Sequence, residues 1–212
     1  MEEYQAMNYL ELLRDVSPKH KLSFLSMATT GIRKDDQIIA VFVGHEDGPI
    51  VGMACEGISD DMLNGTYRYH RISKHMYDSM IKVSREVMYN SICNFFSNDV
   101  IVSYNLPFMR SMLNKMTDTD VEHIDAIDIC NVWRWVNSGQ IFNTPMDANY
   151  GKMQASMDGW NSSKSYGIKN TIKEVIPEYS EDLSKPATEA MVEALRCLCK
   201  SLEMKPVLIA QD

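Results

Sequence analysis

The sequence predicts an α/β domain in which buried strands alternate with amphipathic helices, and three observations carry that expectation. Apolar runs too short for helices, at residues 22–27, 37–44, 50–55 and 99–103, are bounded by turn residues and suit a sheet. Elsewhere apolar side chains recur every three or four residues, as on one face of a helix. The 212 residues, 45% of them hydrophobic, are enough to bury one good core as a single domain.

In order along the chain, residues 3–14 place Tyr4, Met7, Leu10 and Leu13 at helical spacing, which predicts an N-terminal helix within 1–17, ended at Ser17-Pro18. The first strand covers 22–27 and closes in the turn Thr29-Thr30-Gly31. Asp35-Asp36 turns the chain into a second strand over 37–44. Asp47-Gly48 is a hairpin signal, because both residue types tolerate the positive φ of a tight turn, and a third strand follows at 50–55. From 73 to about 96, Met76, Met80, Val83, Val87, Ser91 and Phe95 predict one long helix. After the strand at 99–103, Pro107 suits the first turn of a helix, where its missing N–H costs nothing.

Trp133 and Trp135 alternate within an apolar run and are expected to pack in the core or against a loop. Residues 138–165, rich in Asn, Ser, Gly and Met and without periodicity, are expected to form an insert loop; connections of that length in a compact domain are usually functional. Ala187, Met191, Ala194, Leu195, Leu198 and Leu202 mark a closing helix. The tail at 204–212, with Pro206-Val207-Leu208-Ile209-Ala210, either docks on a sheet edge or reaches a second subunit in a homodimer.

A net charge of −8 argues against a broad cationic nucleic-acid surface, since phosphate neutralisation dominates non-specific binding, although local patches remain open. No apolar run approaches the roughly 20 residues that span a bilayer, and the N-terminus is polar and acidic, so a cytoplasmic protein with no membrane partner is expected. Cys55, Cys93, Cys130, Cys197 and Cys199 are an odd, scattered set, expected to be reduced thiols. The sixteen methionines are expected to be mostly core residues.

Several of these segments resemble the motifs of the DEDDh 3′-to-5′ exonucleases, the family of the proofreading subunit of bacterial DNA polymerase III and of RNase T. There the first strand carries Asp-x-Glu before Thr-Thr-Gly; here Ser26 and Ala28 stand at the carboxylate positions, followed by Thr29, Thr30 and Gly31. Tyr69-His70-Arg71-Ile72-Ser73 resembles the His-Gly-Ile-Thr segment. The second motif, His-Asn-x-x-Phe-Asp, is matched by Tyr104-Asn105-Leu106-Pro107-Phe108-Met109, with Met109 at the aspartate. Residues 121–129 resemble the fifth strand, and Tyr166-Gly167-Ile168 the helix before the third motif. That motif, His-x-Ala-x-x-Asp-Ala, aligns with 185–191, where Lys185 replaces the histidine and Ala190 the aspartate. The resemblance runs from about residue 22 to 203 and implies a ribonuclease H-like fold: a five-stranded mixed sheet, its first three strands antiparallel, flanked by helices.

In the active family, four carboxylates bind two divalent metals that clamp the attacking water and the leaving oxygen, while the histidine handles the water's proton. A serine hydroxyl, two alanine methyls and a thioether supply neither the charge nor the geometry that magnesium demands. The resemblance therefore implies a catalytically inactive exonuclease-like protein, without metal or cofactor, that binds single-stranded nucleic acid or a protein partner. Its degenerate site is Ser26, Ala28, Met109, Lys185 and Ala190. The alternative is a divergent 3′-to-5′ exonuclease acting on single-stranded DNA or RNA with magnesium or manganese held by displaced carboxylates; Asp35, Asp36, Asp128, Glu189 and Glu193 are the nearest. Thr29, Thr30, Arg68, Arg71, Lys74, Tyr104 and Asn105 are the nucleic-acid-binding candidates, with Tyr104 a base-stacking surface.

Overall fold

The computed structural model describes residues 4–8, 21–31, 36–95, 99–104, 106–117, 126–130, 133, 141–142, 167–203 and 206–210. Its centre is a mixed sheet. Strands β2 (Lys21–Thr29), β3 (Ile38–His45) and β4 (Ile50–Cys55) run antiparallel to one another in that sequence, as expected. β6 (Asp99–Ser103) lies parallel to β2, and β7 (Ala126–Asp128) parallel to β6. These are the five expected strands. A sixth, β5 (Ile81–Val83), extends the far edge beside β4, giving the order β5-β4-β3-β2-β6-β7.

Seven of the eight residues of β3 and all of β6 are buried, the signature of strands covered on both faces. Helix α6 (Ala187–Glu203) packs across β2 and β3, burying Val192, Leu195, Leu198 and Leu202. Helices α3 (Arg85–Phe95) and α4 (Leu106–Thr117) pack together and add Met88, Ile92, Met112 and Leu113 to the same core. Where α6 crosses the sheet, a Cβ at Gly44 would meet the Arg196 guanidinium, so glycine there admits the close approach. Arg196 donates from Nη2 to the carbonyls of His45 and Gly48, tying α6 to the β3–β4 hairpin.

Two helix expectations are corrected. The long helix predicted from residue 73 is two helices, α2 (Lys74–Ser79) and α3, each with its own serine at the start. Between them Ile81–Val83 pairs with Met53–Cys55, so sheet pairing overrides a spacing that fits a helix equally well. The N-terminal helix expected within 1–17 is also replaced: Tyr4–Asn8 is strand β1, antiparallel to β9 (Pro206–Ala210) in a small second sheet. That sheet is completed by β8 (Ile141–Phe142), the described part of the expected 138–165 insert, so the tail pairs within the chain. The rest of 1–17, of the insert and of the 204–212 tail lies outside the described residues.

Helix α1 (Asp60–His70) was not expected. Ser59 caps it by accepting from the Met62 N–H, and Asp60 and Asp61 occupy its first turn. Among the described residues no helix is long and apolar enough to cross a membrane.

Candidate functional site

The parallel pairing of β2 with β6 ends at Phe24 opposite Val102, and β2 continues to Thr29 against β3 alone. A crevice opens where the two parallel strands part, at their carboxyl ends, the place where open α/β sheets receive ligands. It encloses about 330 Å³ and is lined by Leu25, Ser26 and Met27 of β2, Ser103 and Tyr104 at the end of β6, Phe108 and Met109 of α4, Ile168 of α5 (Ile168–Val175), and Met191 and Leu195 of α6.

Strand alternation sets which β2 side chains face α6. Gly44, which approaches Arg196 of α6, is the partner of Phe24, so Phe24, Ser26 and Ala28 share that face. Ser26 reaches the crevice beside Met109, which is 2% exposed. Ala28 is fully buried opposite an equally buried Ala40. Ala190 is buried on α6 but lines a second pocket, which meets the first at Met191. The fold thus gathers Ser26 and Met109, with Ala190 one residue from the shared wall.

Thr29 and Thr30 make the turn at the head of β2. Thr29 is buried and its hydroxyl donates to the Gly31 carbonyl at 2.9 Å. The Thr30 hydroxyl donates to Asp36 Oδ1 at 3.1 Å and accepts from the Gln37 N–H at 2.9 Å, closing the turn into β3. A Cβ at Gly31 would press on the Asp36 carboxylate. His70, from the end of α1, places Nε2 2.8 Å from the Thr29 carbonyl oxygen and 3.3 Å from the Thr29 backbone nitrogen; burial pushes its pKa down, opposed by the hydrogen bond to the Thr29 backbone.

Lys185, at the position of the family's histidine, points into carboxylates: its Nζ lies 2.7 Å from Glu193 and 3.7 Å from Glu189. The Glu193 hydrogen bond raises the lysine's pKa. Both glutamates named as displaced-ligand candidates are thereby engaged. Asp128 is engaged too, its two oxygens accepting from the backbone N–H groups of Leu106 and Cys130. Asp36 belongs to the Thr30 turn, and Asp35 lies outside the described residues.

The basic candidates separate. Arg68 and Arg71 line the second pocket, whereas Lys74 pairs with Asp78 at 3.0 Å and with Asp60 at 3.3 Å and is not part of that lining. Tyr104 lines the crevice half-buried, its hydroxyl sharing a 2.8 Å hydrogen bond with Thr171; burial pushes its phenol well up. Asn105 lies outside the described residues. Lys169 and Lys173 of α5, which also line the second pocket, were not expected; their spacing of one helical turn is the signal that would have found them.

A Ser-His-Asp group also exists, away from the crevice. The Ser23 hydroxyl donates to Asp99 Oδ2 at 2.5 Å, and His45 Nδ1 lies 2.9 Å from the same oxygen. Ser23 is wholly buried, so this group ties β2, β3 and β6 together and presents no nucleophile to solvent.

The fold so built is that of the exonucleases, ribonuclease H-like in its sheet order. Exonuclease I in a product-bound structure matches with a TM-score of 0.58 at 12% identity, over 87% of this chain and 43% of that one. Brucella melitensis NrnC bound to pGG matches at 0.50 and 11%, over 87% of this chain and 72% of that one. The yeast NOT1 MIF4G domain co-crystallized with CAF1 provides a match at 0.51 and 8%, over 90% and 82%. The chain thus spans less than half the length of the exonuclease I chain. No protein-family model and no curated protein matches the sequence.

Proposed function

We propose that this protein is a catalytically silent, exonuclease-fold module that binds single-stranded nucleic acid. The make-up of the crevice carries the reading: among the described lining residues Ser26, Ser103 and Tyr104 are the polar ones, and the others are Leu, Met, Phe and Ile. In the family that the motifs resemble, two divalent ions sit among four carboxylates. Hydroxyls and thioethers do not fit magnesium or manganese, which take several hard, largely anionic oxygen ligands. Among the described residues, no three His, Cys, Asp or Glu side chains cluster so as to hold a metal.

Removing clustered carboxylates relieves their mutual repulsion and permits apolar packing instead, consistent with the near-complete burial of Ala28, Met109 and Ala190. A crevice lined by polarizable methionines and by Phe108 and Tyr104 suits the flat face of a base better than a hydrated ion. Two of the structures with this fold, product-bound exonuclease I and NrnC bound to pGG, favour nucleic acid as the ligand class.

The test is incubation with labelled single-stranded DNA and RNA in the presence of manganese, reading both fluorescence anisotropy and strand length. Binding without shortening is expected. Shortening that co-purifies with the protein would establish the divergent exonuclease instead, and no binding even at low salt, where electrostatic affinity is greatest, would point to a protein partner.

A further inference from the structure

The second pocket, of about 300 Å³, is cationic where the crevice is apolar. Arg68 and Arg71 reach it from the end of α1, and Lys169 and Lys173 from one face of α5. Glu181 is the one carboxylate among its described lining residues, so four cations face one anion in a chain whose net charge is −8.

The arrangement is held rather than incidental. Arg71 donates from Nη2 to Glu181 at 2.7 Å and from Nε to the Lys185 carbonyl at 3.1 Å, which fixes its fork at the pocket wall. Arg68 lies over the ring of the exposed Tyr69, 4.5 Å from its centroid. Lys169 and Lys173 pair with no carboxylate among the described residues, and like charges one turn apart on a helix repel. Uncompensated positive charge around a concavity focuses its field on an anion. Across the pocket, the small side chains of α6 leave that space open.

We propose that this basic pocket binds a phosphate group, with Lys169, Lys173 and the two arginines as its ligands and Tyr69 as a ring against which an attached base can stack. A phosphate dianion answers the surplus of three positive charges better than a carboxylate, and its several oxygens suit planar guanidinium donors. The phosphate comes either on a free mononucleotide or at the phosphorylated end of a strand. The site adjoins the crevice at Met191 but has its own lining of cations, and does not depend on the crevice being silent.

The experiment is isothermal titration of the protein with inorganic phosphate, thymidine 5′-monophosphate, thymidine, and a short oligothymidylate with and without a terminal phosphate. Each probe is run against wild type, the K169E/K173E double variant, Lys200→Glu as a charge change on the exposed face of α6 away from the pocket, and Tyr69→Ala. The phosphate-bearing probes bind and thymidine does not. K169E/K173E weakens them by about tenfold or more, the scale of one lost charge-assisted hydrogen bond, while Lys200→Glu leaves them unchanged. Tyr69→Ala weakens thymidine 5′-monophosphate but not inorganic phosphate. Tighter binding of the phosphorylated strand than of the mononucleotide assigns the site to strand ends; equal binding assigns it to free nucleotides. Thymidine binding as well as its monophosphate, or phosphate affinity unmoved in a folded K169E/K173E protein, overturns the proposal. Unphosphorylated strand that binds wild type and K169E/K173E equally, while phosphate binding is lost, supports the pocket as a site of its own. Phosphate bound by a protein that binds no strand leaves the pocket standing and removes the strand-binding reading.

Discussion

Met109→Asp places a carboxylate where the aligned exonuclease motif has one, and the burial of Met109 sets what that costs in this chain. The side chain is 2% exposed, so losing its apolar contacts costs about 1.5–3 kcal/mol. Among the described lining residues, the polar groups available to the carboxylate that replaces it are the hydroxyls of Ser26, Ser103 and Tyr104, which adds about 1–3 kcal/mol of unmet solvation. The crevice, at about 330 Å³, has room for water, which trims the upper end, so the two effects together fall at about 2.5–5 kcal/mol. Met109→Leu, a volume-conserving swap, costs less than about 1.5 kcal/mol.

An aspartate buried there has a folded-state pKa raised above its unfolded value of about 3.9. It therefore binds its proton more tightly when folded, and the destabilisation grows as pH rises through the folded value. Urea denaturation of the three proteins at about pH 5 and about pH 8, with and without manganese, reads all of this. The aspartate variant falls well below the leucine variant at the higher pH, the gap narrows at the lower, and manganese restores nothing. An aspartate variant within about 1 kcal/mol of the leucine variant at high pH, or one rescued by manganese, refutes the reasoning.

Thr30→Val removes the hydroxyl that serves both Asp36 and Gln37, and destabilises by about 1–2 kcal/mol in chemical denaturation, with strand affinity unchanged because that hydroxyl is spent in the turn. His70 has a pKa lowered by burial, so its contribution to stability is full above about pH 6.5 and is lost as pH falls through the folded value; His70→Gln flattens that limb of the stability profile. Arg196→Ala frees the carbonyls of His45 and Gly48, and hydrogen exchange speeds up in the β3–β4 hairpin ahead of the rest of the sheet.

Much of the fold was legible because its strands are short apolar runs with clear stops. Ile50–Cys55 and Asp99–Ser103 begin and end where the sequence reading placed them, and α6 follows its apolar spacing from Ala187. What was not legible depended on distant partners. Tyr4–Asn8 carries a spacing compatible with a helix, and only its pairing with Pro206–Ala210, some two hundred residues away, makes it a strand. Ile81–Val83 is decided in the same way by Met53–Cys55. Helix α1 was legible but missed: Ser59 followed by two aspartates is a start signal, obscured by the weak apolar pattern behind it.

At the site, local motifs located the head of β2 and the α4 turn, and Ser26 and Met109 line one crevice. They also drew attention to Arg68 and Arg71, but the pairing of those arginines with Lys169 and Lys173 is a property of how α1, α5 and α6 come together. Lys74 follows Arg71 closely in sequence yet serves the acidic ends of α1 and α2.

The most direct measurement of the central claim is calorimetric titration of the purified protein with manganese, alongside thermal melting in the same buffer. A crevice whose described lining is Ser26, Ser103, Tyr104 and apolar side chains gives no saturable heat and no metal-dependent rise in melting temperature. Two tightly bound equivalents, with a matching rise in melting temperature, would contradict it.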